Sequence, residues 1–219
     1  MTDFFLPPDL PRRRLLAALG VAALLPACGK KAPQARAVAS GAAVLALGDS
    51  LTSGVGAAAD AAYPAVLQEL TGWQVVNGGI SGNTAAQALA RLPALLQEHR
   101  PALVIVSIGG NDFLRQMSAA TAKDQIRAIC RAAADGGAQV LLVAVPQFSL
   151  LAASTGRLSD HPLYAELADE LKLPLHAGGW SAVLSDASLR SDQIHANAEG
   201  YRRFAEGLAA QLRQSGLLV

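Results

Sequence analysis

The sequence predicts an α/β domain built on a parallel sheet of five strands covered by helices on both faces. Three observations point to this class. Short strand-like runs at residues 44–47, 74–77, 102–108, 139–145 and 173–175 alternate with stretches of helical periodicity. No two neighbouring runs are joined by a hairpin signal, so the strands must pair through crossovers. The chain has 219 residues, 52% of them hydrophobic, and shows no internal repeat, which suits one core plus an extension.

The elements follow in order. Residues 44–47, V-L-A-L, have the length of a buried parallel strand, and Gly48 frees the backbone to turn where the run ends, delivering Asp49 and Ser50. After a small-residue loop over 54–62, Tyr63, Val66, Leu67 and Leu70 recur at helical spacing, with Pro64 in the first turn. The strand at 74–77 runs into N-G-G-I-S-G-N-T, where Asn83 or Thr84 can cap a helix over 85–99. Residues 102–108, A-L-V-I-V-S-I, read as the central strand and open onto G-G-N-D. A helix at 121–135 ends at Gly136-Gly137, and a strand at 139–145 follows. From 146 to 161 no period holds, although Phe148, Leu150 and Leu151 are apolar, which makes this stretch a candidate substrate wall or simple surface packing. A helix at 163–171, a short strand at 173–175 interrupted by Pro174, and a helix at 197–212 with Tyr201, Phe204, Leu208 and Leu212 on one face complete the domain, 43–219.

The chain before residue 43 has a different composition. Arg12, Arg13 and Arg14 precede an apolar run over 15–25 and then Pro26-Ala27-Cys28-Gly29, the plan of an export signal. The run is too short to span a bilayer comfortably. L-P-A-C resembles the lipobox of bacterial lipoproteins, which makes Cys28 the expected lipidated residue, and the arginines followed by Leu15 and Leu16 resemble a twin-arginine signal. The expected location is the bacterial cell envelope, with the domain anchored and facing the periplasm; simple secretion or an uncleaved terminus are the alternatives. Residues 29–42 are small and polar and read as a tether.

Composition narrows the partners. A net charge of +1 and the lack of basic runs interleaved with aromatics exclude a general nucleic-acid surface. Cys28 and Cys130 make neither a disulfide framework nor a metal site, and Cys130 falls within a helical pattern as a core residue. No metal or other cofactor is expected.

Ser50 sits where a strand ends and reads as a nucleophile. A serine hydroxyl needs a base, and among the four histidines His195 alone has an acid, Asp192, three residues before it on a short loop. Asp192 can fix the imidazole tautomer while the other ring nitrogen faces Ser50. Asn111, beyond the central strand, can donate its side-chain amide to a developing oxyanion, and glycines 78, 79 and 82 can expose backbone amides for the same purpose. Both stretches also suit ordinary turns. His99 reads as a helix-end cation, and His161 and His176 as surface or loop residues.

The blocks G-D-S-L-T-S-G around Ser50, G-G-I-S-G-N-T around Gly82, G-G-N-D around Asn111, and D-Q-I-H with N-A-E-G-Y around His195 occur in one order. Together they resemble the SGNH superfamily, the GDSL esterases and lipases, and most closely its bacterial thioesterase, lysophospholipase and arylesterase subgroup. The resemblance implies a flavodoxin-like three-layer sandwich and an acyl-enzyme mechanism on small acyl esters or thioesters. It assigns nucleophile, base and supporting acid to Ser50, His195 and Asp192, and oxyanion donation to the Ser50 and Gly82 amides and the Asn111 side chain. Family members usually carry proline after the histidine, where this chain has Ala196. Gly78 and Gly79 also replace the more usual Ala-Gly or Ala-Ser. Two other functions fit the same chain: a polysaccharide O-acetyl esterase, and a surface lipoprotein that binds without catalysis.

Overall fold

The computed structural model describes residues 35–147 and 158–219. Five parallel strands, β1 (Ala43–Gly48), β2 (Gln74–Gly79), β3 (Leu103–Ser107), β4 (Gln139–Val143) and β5 (Leu175–His176), lie in the order β2-β1-β3-β4-β5. β1 and β3 occupy the middle and are buried almost throughout, so these two runs are apolar at every position instead of alternating. From β1 the chain steps outward to β2 and then returns to β3 on the other side of β1. That reversal opens a crevice at the carboxyl ends of β1 and β3, where side chains of separate loops can meet.

Helices cover the sheet in a three-layer α/β/α sandwich. They are α1 (Ser50–Ser53), α2 (Tyr63–Thr71), α3 (Ala85–His99), α4 (Gly110–Leu114), α5 (Ala119–Asp135), α6 (Leu163–Leu171), α7 (Gly179–Ser185) and α8 (Ala198–Gln214). α3 packs on α5 and α5 on α6, while α2 packs on α8 and α8 on α7. α3 begins where the sequence places it because Thr84 and Gln87 form a reciprocal capping box. The second helical layer closes over an aromatic cluster in which Trp180 stacks on Phe204 at 3.5 Å and Tyr63 meets Phe204 edge-on at 5.0 Å. The Trp180 indole N–H, which could not be buried unpaired, donates to Ser107 Oγ at 3.1 Å. Cys130 is buried in α5, and burial pushes its thiol up to about 12, which makes it inert packing.

Two expectations need correction. β5 begins after Pro174, which lacks an N–H and joins the ladder through its carbonyl alone, accepting from the Leu142 N–H. His176 therefore falls within the sheet and is 7% exposed, whereas its sequence context suggests a surface or loop position. The tether predicted over 29–42 also ends earlier, because from Ala35 onward the chain is docked on the domain. Val38 is buried, its N–H donates to the Leu217 carbonyl, and its own carbonyl accepts the Trp73 indole N–H at 3.2 Å. The Gln139 side-chain amide pairs with both the N–H and the carbonyl of Arg36, each at 2.7 Å. Among the described residues no helix is long and apolar enough to cross a membrane. Cys28, Phe148, Leu150 and Leu151 lie outside the described residues.

Candidate active site

At the end of β1, Asp49 caps α1, its Oδ1 accepting the Leu51 N–H at 3.1 Å, and Ser50 becomes the first helical residue. Gly48 is required here by crowding. A Cβ on it would lie 2.5 Å from the Ser107 carbonyl oxygen and 2.0 Å from Thr52 Oγ1. The turn thus presses against β3, and Ser50 is held half-buried at the mouth of the crevice.

The imidazole that meets Ser50 arrives from the far end of the chain. His195 lies on the loop before α8, and its Nε2 stands 3.0 Å from Ser50 Oγ. Its Nδ1 is 2.7 Å from Asp192 Oδ2, and Asp192 Oδ1 accepts the backbone N–H groups of Ile194 and His195, each at 2.8 Å. Partial burial works against ionisation of Asp192. The His195 ring, the two amide donors and the charge of His195 outweigh it and hold the carboxyl below the ordinary range. With Asp192 ionised, Nδ1 is the protonated nitrogen and Nε2 presents its lone pair to Ser50.

Ala196, in the place usually taken by proline, does not leave this loop loose. It is fully buried and paired with Arg190 in a short antiparallel bridge, and the Ser191 N–H donates to the His195 carbonyl. Asn197 caps α8 through Gly200 and donates to the Ser188 carbonyl at 2.8 Å. Gly56, in the loop after α1, packs directly beneath, and Tyr201 Oη ties that loop to α8 by donating to the Val55 carbonyl at 2.7 Å.

The groups expected to donate to an oxyanion come from the start of α1, the Gly82 loop and α4. Asn111 lies in α4, and its Nδ2 donates to the Asn83 carbonyl at 3.1 Å and to Asp49 Oδ2 at 3.4 Å. Among the described residues the backbone N–H groups of Ser50 and Gly82 have no acceptor, which leaves them free for an incoming oxygen. Asp49 is 3% exposed. Burial raises its pKa to about 6 against the opposing pull of the Leu51 N–H, the His195 charge and the Asn111 amide. Asp112 is fully buried; burial likewise raises its carboxyl, while its Oδ2 accepts the Ala85 N–H at 2.9 Å. A small depression beside Ser50 is lined by Asp49, Leu51, Gly110, Asn111, Leu114 and Ile194.

The structure therefore brings Ser50, Asp192, His195 and Asn111 to one crevice from three separate stretches of chain, with Asp192 and His195 sharing the last. Sequence reading missed the two arginines that grip the Gly82 loop. Arg91 on α3 donates to Asn83 Oδ1 and to the Gly48 carbonyl, each at 2.9 Å, and Arg115 donates to the Gly82 carbonyl at 2.9 Å. The one available signal for Arg91 was a charged residue set between Ala88 and Leu92 on the buried stripe of a helix. His161 stands apart from the catalytic groups, stacked on Phe113 at 4.4 Å.

Comparison with known proteins gives consistent matches. A model of the GDSL-like lipase/acylhydrolase family matches residues 46–203. Thioesterase 1/protease 1/lysophospholipase L1 of Escherichia coli K12 is 37% identical over 178 residues, covering 78% of this chain and 83% of that protein. An arylesterase of Vibrio mimicus is 30% identical over 183 residues, covering 77% and 87%. The crystal structure of TesA superposes with a TM-score of 0.69 at 30% identity, covering 79% of this chain and 99% of the other.

Proposed function

Because this chain belongs to the GDSL-like lipase/acylhydrolase family and is a serine hydrolase of esters or thioesters, we propose that Ser50, His195 and Asp192 carry its chemistry through an acyl-enzyme. The observation behind this reading is the continuous line of contacts from Asp192 through His195 to Ser50 Oγ at the carboxyl end of β1. Ser50 Oγ attacks the acyl carbon as His195 Nε2 takes its proton. The resulting imidazolium is stabilised by Asp192 and returns the proton to the departing alcohol or thiol. Water then repeats the sequence on the acyl-enzyme, again with His195 as base, and Ser50 is released. The oxyanion of each tetrahedral intermediate takes the Ser50 and Gly82 amides and the Asn111 side chain as donors. Asn111 has a long, weak contact to Asp49 to give up when the oxyanion forms. Asp49 itself shapes the turn.

The substrates we assign are small-molecule acyl esters and thioesters, in the range named by the relatives: thioesters, lysophospholipids and aryl esters. Ile80, on the loop after β2, and Leu114, at the end of α4, stand exposed, and Leu114 and Ile194 line the depression beside Ser50, which favours an apolar acyl group. Phe148, Leu150 and Leu151 are assigned to the acyl wall on their sequence alone. Residues 1–28 we read as an export signal with Cys28 lipidated, and the short segment after it as the tether of an envelope enzyme facing the periplasm. Mass spectrometry of the membrane fraction tests this: a diacylglyceryl adduct at Cys28 is expected, and a free thiol there rules it out.

Turnover of a p-nitrophenyl ester series from acetate to palmitate, with Ser50→Ala as control, tests the chemistry. Activity that depends on Ser50 and peaks at medium or long chains is expected. Activity on acetate alone indicates a deacetylase, and undiminished turnover in Ser50→Ala refutes the mechanism.

A further inference from the structure

We propose that Arg91 is a positioning residue that keeps the Gly82 loop and the Ser50 turn in register, so that the oxyanion donors stand at fixed places around the nucleophile. The inference rests on the hydrolase mechanism above. Arg91 projects from the second turn of α3 and is half-buried, with Ala88 and Leu92 of its own helix fully buried beside it. Its guanidinium donates in two directions, through Nε to Asn83 Oδ1 and through Nη2 to the Gly48 carbonyl. Gly48 is two residues before Ser50, and Asn83 directly follows Gly82. The Asn83 carbonyl in turn accepts the Asn111 amide at 3.1 Å. Among the described residues Arg91 is the only side chain bonded both to Gly48, the last residue of β1, and to the Gly82 loop; Asn111 makes a second, longer link from Asn83 to Asp49. One planar fork thereby ties the segment before Ser50 to the Gly82 loop, onto which Asn111 is bonded through the Asn83 carbonyl, a geometry that a lysine ammonium cannot reproduce.

The backbone alone leaves this register under-determined. The Ile80 N–H donates to the same Gly48 carbonyl at 3.2 Å, continuing the β1–β2 pairing, but beyond Ile80 the loop leaves the ladder and returns only at the α3 cap. Residues 81–83, which include the Gly82 amide, lie in that gap. Without Arg91 they keep the Asn83 N–H bond to the Ile80 carbonyl and the bonds from Asn111 and Arg115, and of these only Asn111 touches the Ser50 turn, through its long 3.4 Å contact with Asp49.

The test is steady-state kinetics on a p-nitrophenyl ester with Arg91→Ala and Arg91→Lys, each with its thermal unfolding midpoint. A displacement of about 1 Å among preorganised donors costs on the order of a hundredfold, so Arg91→Ala is expected to lose kcat by roughly 30- to 100-fold with KM within about threefold. Arg91→Lys reaches one acceptor at a time and is expected between the two. Millimolar guanidinium, which fits the vacated space, is expected to restore several-fold activity to Arg91→Ala and none to wild type. If Arg91→Ala does not fold, Arg91→Lys carries the comparison. Wild-type kcat in the folded variants overturns the proposal, as does a loss carried in KM, or a folded Arg91→Ala that guanidinium leaves unchanged. Ser50→Ala assayed in parallel separates this outcome from failure of the mechanism itself, which only that variant reports.

Discussion

Gly56→Ala is the substitution that most directly probes how the base is held. Gly56 has φ +98, and a Cβ there would fall 2.5 Å from the Ala196 carbonyl oxygen and 2.1 Å from Ser191 Oγ. The Ser191 hydroxyl can rotate away, but its Cβ, 2.8 Å from the added methyl, and the Ala196 carbonyl, which is main chain next to His195, cannot. Ordinary contact therefore demands a shift of about 1 Å between the two loops. The loop of Gly56 has little slack: the Val55 N–H donates to the Ser50 carbonyl at 3.1 Å, and the Val55 carbonyl is held by Tyr201. Whichever side yields, the 3.0 Å separation of Ser50 Oγ and His195 Nε2 opens towards about 4 Å, beyond hydrogen bonding. The expected loss in kcat is on the order of a hundredfold. Alanine in the left-handed region adds a stability cost of about 1–2 kcal/mol. Ester turnover and urea unfolding on one preparation measure both. A kcat within threefold of wild type, in a protein destabilised as expected, would show that His195 is not braced through Gly56.

Further outcomes follow from the same geometry. Ser50→Ala is expected to abolish turnover, and Asn111→Ala to lower kcat by about a hundredfold with KM little changed, both read on the ester series. Asp192→Asn should cost roughly 10⁴-fold in kcat, because an amide facing Nδ1 no longer enforces the tautomer that presents a lone pair to Ser50. His176 supplies a pH test. Burial lowers its pKa from 6.5 to about 4, so between those values the unfolded chain binds more protons, and the stability held above pH 6.5 is lost as pH falls towards 4. The stability of wild type relative to His176→Leu should thus fall by up to about 3 kcal/mol between pH 7 and pH 4. Asp49, whose pKa is raised from 3.8 to about 6, acts in the opposite sense over an overlapping range and cancels in that difference.

What could be read from the sequence was whatever is encoded locally. The start of α3 was legible because Asn83 and Thr84 both offered a cap there, of which the structure uses Thr84 with Gln87, and β1 and β3 because burial on both faces demands unbroken apolar runs. Ser50, Asp192, His195 and Asn111 stood out because each lies in a short motif at a strand or helix end. The grip of Arg91 on Gly48 was illegible, since the partners are 43 residues apart and neither is unusual in its own neighbourhood. α1, α4 and α7 were missed because four, five and seven residues are too few to establish a period. Gly48 could be seen to matter but not why: its φ is not positive, and what forbids a side chain is β3, more than fifty residues away in sequence.

The docking of residues 35–38 has a mechanical consequence. Any pull along the chain that precedes Ala35 meets a clamp before it meets β1: the Gln139 amide grips the main chain of Arg36 on both sides, and Val38 is fastened to Leu217 and Trp73. β1 starts five residues beyond Val38 and has Ser50 just past its other end. Load is diverted into β4, the connection between α2 and β2, and the carboxyl-terminal segment, as strain relief on a cable spares the connector, and the Ser50 turn stays slack.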